Sequence, residues 1–368
     1  MTINRNNHLN LFRLLFALQV VYMHSSAWLH LPKGGAMTFD LLGLFPGVPL
    51  FFLTSGFLIT DSYLNSNSLK SYAMKRGLRI YPALFINILI LEFVMYLGGN
   101  MQNFNISFLK YIEYLFAYIS TASSGSATTL LGINGSDIYT MNGFFKAYPS
   151  GVLWTLTIEI TFYTALPVIF MFHRKNKYFT LIILSTLFMG SIFISGIASQ
   201  EFYKSTNIHQ LLEITFLPFA WMFIIGVMAR LYWNTIKVYL VNKGLYFLLI
   251  YILFSYLTNK YLGSGLWVGY KYNLDFITVI EVLLLSIAML SLAFSFTNLK
   301  INLKSDLSYA TYLYHMLVVH IILSSGMTTN GYTYFIIIGI TLCIAYLSWN
   351  YVEKPMLKFK PKVTNVIK

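Results

Sequence analysis

Two ionisable side chains, Arg13 and His24, stand inside the first long apolar stretch of the chain, 9–29. About twenty apolar residues suffice to cross a bilayer. Ionisable groups inside such a stretch are costly, so they usually face a protein interior and serve a site or a pathway. The two are eleven residues apart, about three helical turns, which puts them on one face and about 16 Å apart in height. That face would present a fixed cation low down and a titratable base high up. The bland alternatives are Arg13 snorkelling to the headgroups and an interfacial His24 without a role.

Further candidates follow along the chain. The run Gly47-Val48-Pro49-Leu50-Phe51-Phe52-Leu53-Thr54-Ser55-Gly56-Phe57-Leu58 carries small residues, Ser55 and Gly56, that let helices approach closely. In Lys75-Arg76-Gly77-Leu78-Arg79-Ile80-Tyr81-Pro82, Arg76 and Arg79 are three apart and share a helix face. A planar guanidinium fork suits bidentate phosphate binding, while ordinary positive-inside charge is the plain alternative. Trp154-Thr155-Leu156-Thr157-Ile158-Glu159 sets a lone carboxylate near the middle of the stretch 150–172. Such a group is a functional candidate by default, or else an ion pair that locks helices. Ser308-Tyr309-Ala310-Thr311-Tyr312-Leu313-Tyr314-His315 puts Ser308 and His315 on one face. Glu353-Lys354-Pro355 closes the last stretch. Glu92, Glu213, Asp275, Glu281 and His320 lie in or near apolar stretches with no assigned role.

The elements that must position these residues are membrane helices. The chain is 57% hydrophobic and only 10% charged, with mean hydropathy +0.65, whereas soluble domains carry about 25% charged residues. Hydropathy predicts an all-α membrane protein of about ten spans, near 9–29, 44–64, 79–97, 150–172, 178–197, 210–232, 244–259, 273–296, 307–325 and 332–351. A short apolar piece, Phe108 to Ile119, would be an interfacial or re-entrant helix. With the N-terminus inside, 19 of the 25 Lys and Arg fall in inside loops and 6 outside. A wrong span count would scramble that asymmetry, so both termini are expected in the cytoplasm.

The net charge of +13 is therefore loop charge, and nucleic acid is not an expected partner. The basic tail, 356–368, reads as an electrostatic anchor to anionic lipid. The first stretch imitates a signal peptide, but the interruption at Gln19 and the membrane-embedded remainder argue against cleavage. Cys343 is the sole cysteine, which excludes an internal disulfide and a thiolate metal site. The largest outside loop, Gly98 to Tyr148, is rich in Gly, Ser, Thr and Asn, and would either cover a polar substrate or simply connect.

Six signatures occur in order: Arg-x10-His, Gly-Val-x-x-Phe-Phe-x-x-Ser-Gly-Phe-Leu, Arg-x-x-Arg-Ile-x-Pro, Trp-x-x-x-x-Glu, Ser-x-x-x-Tyr-Leu-x-His and Glu-x-Pro. Each is weak alone, but together the chain resembles acyltransferase family 3 over nearly its whole length, with the transmembrane domain at 1–355. The resemblance implies O-acylation, usually O-acetylation, of a cell-envelope glycan in the bacterial cytoplasmic membrane. Acetyl-CoA, or another acyl-CoA, would be co-substrate, with no tightly bound cofactor and no metal. By motif position it implies Arg13, His24 and Glu159 as catalytic residues and Arg76 and Arg79 as the arginine motif. Pro49 stands where many members carry an acidic residue, so no role for that carboxylate carries over.

The expected chemistry has CoA phosphates at Arg76, Arg79 and Arg13, and His24 taking the proton from a sugar hydroxyl that attacks the thioester. Glu159 would orient or charge-stabilise a histidine. An acyl-histidine relay is a second mechanism, and Ser55 or a tyrosine are guesses for an oxyanion donor. Trp154, Ser308, His315 and Glu353 are further candidates. The competing readings are a glycolipid transporter or flippase, for which membrane carboxylates would serve as an ion path, and a glycan polymerase or ligase, which would display its working residues in a large outside loop.

Overall fold

The computed structural model describes residues 7–31, 42–101, 108–120, 139–173, 177–198, 212, 214–263, 274–299, 303 and 305–361. Among the described residues the regular structure is helical apart from one isolated bridge, Met101 to Tyr139. The helices are α1 (Leu9–Leu29), α2 (Gly47–Leu64), α3 (Leu69–Leu97), α4 (Phe108–Ser120), α5 (Trp154–His173) and α6 (Lys177–Ala198). Then come α7 (Ala220–Leu231), α8 (Trp233–Leu240), α9 (Gly244–Leu262), α10 (Phe276–Ala293), α11 (Ser308–Ser324), α12 (Thr333–Ser348) and the short α13 (Lys354–Leu357).

Each of the ten apolar stretches contains a helix. Seven are long and apolar enough to cross a membrane, and eight if the pair Leu217–Leu231 and Trp233–Leu240, bent by 94°, is one broken span. The other two are α1, made less apolar by Asn10, Arg13, Gln19 and His24, and α11, which has 17 residues. The apolar piece after Gly98 is indeed a helix, α4.

Two boundaries differ from the sequence expectation. The third stretch was expected to start at 79, yet α3 starts ten residues earlier. Ser68 caps it, accepting from the Ser71 amide at 3.1 Å, so Lys75, Arg76 and Arg79 ride on one continuous helix. Hydropathy misses this because charged first turns remain good helix formers. The last stretch was expected to end near 351, but a π-helical turn, Trp349–Glu353, carries it into α13. Such turns shift the register of the side chains that follow, and here Glu353 turns inward.

The tightest helix crossing is α2 on α7. A Cβ on Gly56 would lie 2.1 Å from the Phe223 carbonyl oxygen, and one on Gly226 would lie 2.0 Å from the Leu53 carbonyl oxygen. Backbones can approach this closely only where side chains are absent. Phe223 fills the space beside the crossing, stacked on Phe162 with centroids 4.1 Å apart and against Phe52 at 4.6 Å. α1 and α11 run parallel in the neighbouring layer, since their starts meet at Arg13 and Asp306 and their later turns at His24 and His315. Apolar packing joins α1, α2, α5, α7, α9 and α10 in one cluster, and α3, α4, α5 and α11 in a second.

Gly56→Ala or Gly226→Ala forces this crossing apart. Each is expected to cost about 1–3 kcal/mol, as overpacking does. Thermal unfolding in detergent should show a lowered midpoint for both. Gly190→Ala, whose Cβ meets nothing within 4 Å, should leave the midpoint unchanged or raise it.

Candidate active site

Asp306 gathers the charges at the end of the bundle where α1 begins. Its Oδ2 accepts from Arg13 Nη1 at 2.8 Å and from Arg79 Nη2 at 2.7 Å. Its Oδ1 accepts from the Ser308 hydroxyl at 2.6 Å and from the Ser308 amide at 3.3 Å. Arg79 reaches on to Glu353 Oε2 at 3.1 Å. Burial alone would raise the Asp306 carboxyl, but Arg13, Arg79 and Ser308 outweigh it and hold the group well below the usual carboxylate range. The Arg13 and Arg79 guanidiniums are thus each ion-paired within the chain at the edge of the site. Ser308 orients the carboxylate, and Glu353 owes its contact to the π-helical turn.

A cavity of about 610 Å³ opens beside this cluster. Lys75, Arg76 and Lys360 line it together with Arg13, Arg79 and Asp306, and it runs inward past Ser55, Glu159 and Tyr163 to Phe51, Thr155 and Tyr312. Arg76 contrasts with Arg79. Its buried Nε has no hydrogen-bond partner among the described residues, and its guanidinium sits 5.8 Å from the Tyr163 ring centroid. Lys75 donates to the Asn65 carbonyl at 3.0 Å and to Ser66 Oγ at 3.1 Å. Lys360 is lowered to about 8, first by burial and then by Arg76 and Arg79. Cations gathered at the mouth of a half-apolar cavity suit a phosphorylated ligand with a slender arm.

Glu159 sits inside this cavity and accepts from the Ser55 hydroxyl and from Tyr163 Oη at 2.5 Å. No histidine among the described residues lies within hydrogen-bond distance of it. It therefore braces α2 against α5 and keeps the Ser55 hydroxyl occupied. The residue that does meet His24 is His315: Nδ1 of His24 lies 2.9 Å from Nε2 of His315, with the ring planes 12° apart and the centroids 5.2 Å apart, so the two rings meet edge to edge. His315 Nδ1 in turn lies 2.7 Å from the Tyr312 carbonyl oxygen. Tyr312 is shared between the two features. Its ring walls the inner end of the cavity, edge-on to Phe51, and its hydroxyl lies 2.9 Å from Thr155 Oγ1. Arg13 and His24 do face the same neighbour, as their spacing predicts, but the sequence named neither Asp306 nor the histidine pair. Asp306 stands two residues before a motif serine, the one local sign of it.

Other expected residues fall elsewhere. Trp154 packs on Phe219 with centroids 5.4 Å apart. The orphan carboxylates have local partners: Glu92 accepts from Tyr139 and, at 3.4 Å, from Tyr111. Glu281 accepts from Thr258 at 2.5 Å, and Asp275 caps α10 through the Thr278 amide at 2.7 Å. His320 is buried against Trp28 at 4.7 Å. Glu213 and the polar runs 123–126 and 134–136 lie outside the described residues.

Asp306→Asn should leave two arginines facing one weak acceptor. Breaking a fully buried ion pair on one side costs about 3–5 kcal/mol, and this partly exposed cluster should lose less, so a moderately lowered unfolding midpoint is expected. The sign of the pH effect follows from the lowered carboxyl. Its stabilisation is complete above the unfolded value, about 3.9, and is lost as pH falls below it. Between pH 5 and pH 3 the wild-type midpoint should therefore fall more steeply than that of Asp306→Asn.

Residues 6–350 match the family model described as an acyltransferase domain. Nodulation protein 10 of Rhizobium leguminosarum bv. viciae is 35% identical over 357 residues, covering 96% of this chain and 94% of that protein. The O-acetyl transferase of Shigella phage Sf6 is 24% identical over 372 residues, covering 98% of this chain and 99% of that protein. No solved structure matches the chain. With nearly its whole length matched and a helical bundle apolar enough for the membrane, the chain belongs to acyltransferase family 3.

Proposed function

We propose that the chain is a membrane O-acetyltransferase that moves an acetyl group from cytoplasmic acetyl-CoA to a sugar hydroxyl of a bacterial cell-envelope polysaccharide or its lipid-linked precursor. The observation that carries this reading is the cavity. It is cationic at its mouth, where Lys75, Arg76 and Lys360 gather, and it ends at Tyr312, whose carbonyl holds one of the two paired histidines. The family and the relative named as an O-acetyl transferase support the reaction class. The bacterial cytoplasmic membrane is the setting this reaction needs, with a cytoplasmic donor and an envelope acceptor.

In this mechanism the CoA phosphates bind Arg76, Lys75 and Lys360, and the pantetheine arm follows the cavity inward. Arg13 and Arg79, spent on Asp306, shape the mouth rather than bind phosphate. The sugar oxygen attacks the thioester carbon while its proton passes to His24. The tetrahedral intermediate collapses with cleavage of the carbon–sulfur bond, and the departing CoA sulfur takes the proton back from His24. An acetyl ester and CoA thiol result, and the histidine is regenerated.

Membranes carrying the wild-type protein or His24→Ala, incubated with acetyl-labelled acetyl-CoA and the host's own envelope glycans, test the reading. Label in the glycan that is released by mild base and depends on His24 is the expected result. Label that persists in His24→Ala would reject His24 as the base. A correctly folded protein that transfers no label to any glycan fraction would reject the acetyltransferase reading. The donor site makes its own prediction. Lys360 loses its charge as pH rises through about 8, and a charge-assisted hydrogen bond is worth about 1.5–3 kcal/mol. Calorimetry in nanodiscs should show acetyl-CoA binding about tenfold weaker at pH 9 than at pH 7. Lys360→Arg should flatten that dependence.

A further inference from the structure

The two histidines form a chain of ring nitrogens that ends on a backbone carbonyl, and that ending fixes where the protons are. A carbonyl oxygen can only accept. The 2.7 Å contact between His315 Nδ1 and the Tyr312 oxygen therefore requires a proton on His315 Nδ1. In the neutral ring the other nitrogen, Nε2, then carries the lone pair and must accept. The 2.9 Å contact from His24 Nδ1 to His315 Nε2 consequently requires the proton on His24 Nδ1, which leaves His24 Nε2 as the free base. The opposite assignment would set a lone pair of His315 against the lone pairs of the Tyr312 carbonyl. Placing a cation on His315 in the resting state would bury a charge with no carboxylate beside it among the described residues, which is costly.

We propose that His315 is a positioning residue that holds His24 in its Nδ1–H tautomer, so that His24 Nε2 is the atom that takes the acceptor proton. The proposal rests on the acetyl-transfer reading for its functional consequence, and on geometry alone for the tautomer. It also supplies what Glu159 does not. In a serine-type triad a carboxylate orients the histidine; here the Glu159 carboxylate is occupied by Ser55 and Tyr163, and a second imidazole takes that part.

The relay balances. When Nε2 of His24 gains the acceptor proton, the ring becomes imidazolium. Its Nδ1 proton can then pass to His315 Nε2, so that the charge is shared between two rings joined edge to edge and is held by the Tyr312 carbonyl through His315 Nδ1–H. The reverse movement returns the proton to the departing sulfur, and nothing is oxidised or reduced. His315 is fully buried and His24 half-buried, so water competes little for the inner contact. Tyr312 is itself pinned to α5 through Thr155 and to the turn before it through the Val152 carbonyl, the latter at 3.2 Å. The orientation of the base is therefore tied to the wall of the donor cavity.

The tautomer can be read without knowing the acceptor. The protein would be labelled with 15N-histidine in nanodiscs and the His24 signals identified by their loss in His24→Asn. Their 15N shifts distinguish a protonated from an unprotonated ring nitrogen. Protonated Nδ1 and bare Nε2 are expected, and a proton on Nε2, or on both nitrogens at pH 7.5, would overturn the proposal. His315→Leu should lower glycan labelling by about 10²–10⁴-fold, the range of positioned base catalysis, with the acetyl-CoA dissociation constant unchanged. His315→Gln, whose Oε1 can accept from His24 Nδ1, should recover most of the loss. Equal loss in both variants, with unfolding midpoints like wild type, would also overturn it. Where the expected tautomer is found but no glycan is labelled, the tautomer stands and the acetyl-transfer reading falls.

Discussion

One carboxylate, shared by two arginines from different helices, holds the working end of this protein together. Asp306 takes Arg13 of α1 on one side and Arg79 of α3 on the other, and Arg79 hands on to Glu353 beside α12. Four distant segments of sequence meet at that point. Isolated charges at such depth would be costly, so each helix can bury its ionisable residue only if the others arrive. Any register slip of α1 against α11 breaks the pair and also moves His24 away from His315. The ion cluster and the histidine pair are thus coupled through the same two parallel helices.

The cavity lies beside that cluster, walled by α2, α3, α5 and α11. Its mouth inherits the cations that the cluster does not consume: Arg76, Lys75 and Lys360. Its inner wall is Tyr312, whose ring faces the cavity and whose carbonyl faces His315. His315 stands between that wall and His24.

Much of this was legible as pattern. The eleven-residue spacing put Arg13 and His24 on one face, and both meet the same neighbouring segment. Gly56 was expected where helices approach closely, and it is there. The Arg76 and Arg79 pair was legible as a shared face but not as two different fates. Arg79 is held in ion pairs, while Arg76 faces the cavity with its Nε unpartnered among the described residues. Nothing local to Arg-x-x-Arg distinguishes them, because the difference lies in carboxylates more than two hundred residues away in sequence.

The sequence by itself determined the solvent this protein folds in, the helices and the residue types of the site. Those follow from hydropathy, periodicity and composition, which are properties of neighbours along the chain. The tertiary structure decided the pairings. Glu159 was a natural partner for a histidine by analogy with triads, yet it binds Ser55 and Tyr163, and the histidine is met by another histidine. Asp306, which lies outside the apolar stretches, is the centre of the cluster. A hydrogen bond is decided by which two groups lie within about 3 Å in a favourable direction, and helix packing sets that distance across segments whose order in the chain carries no record of it.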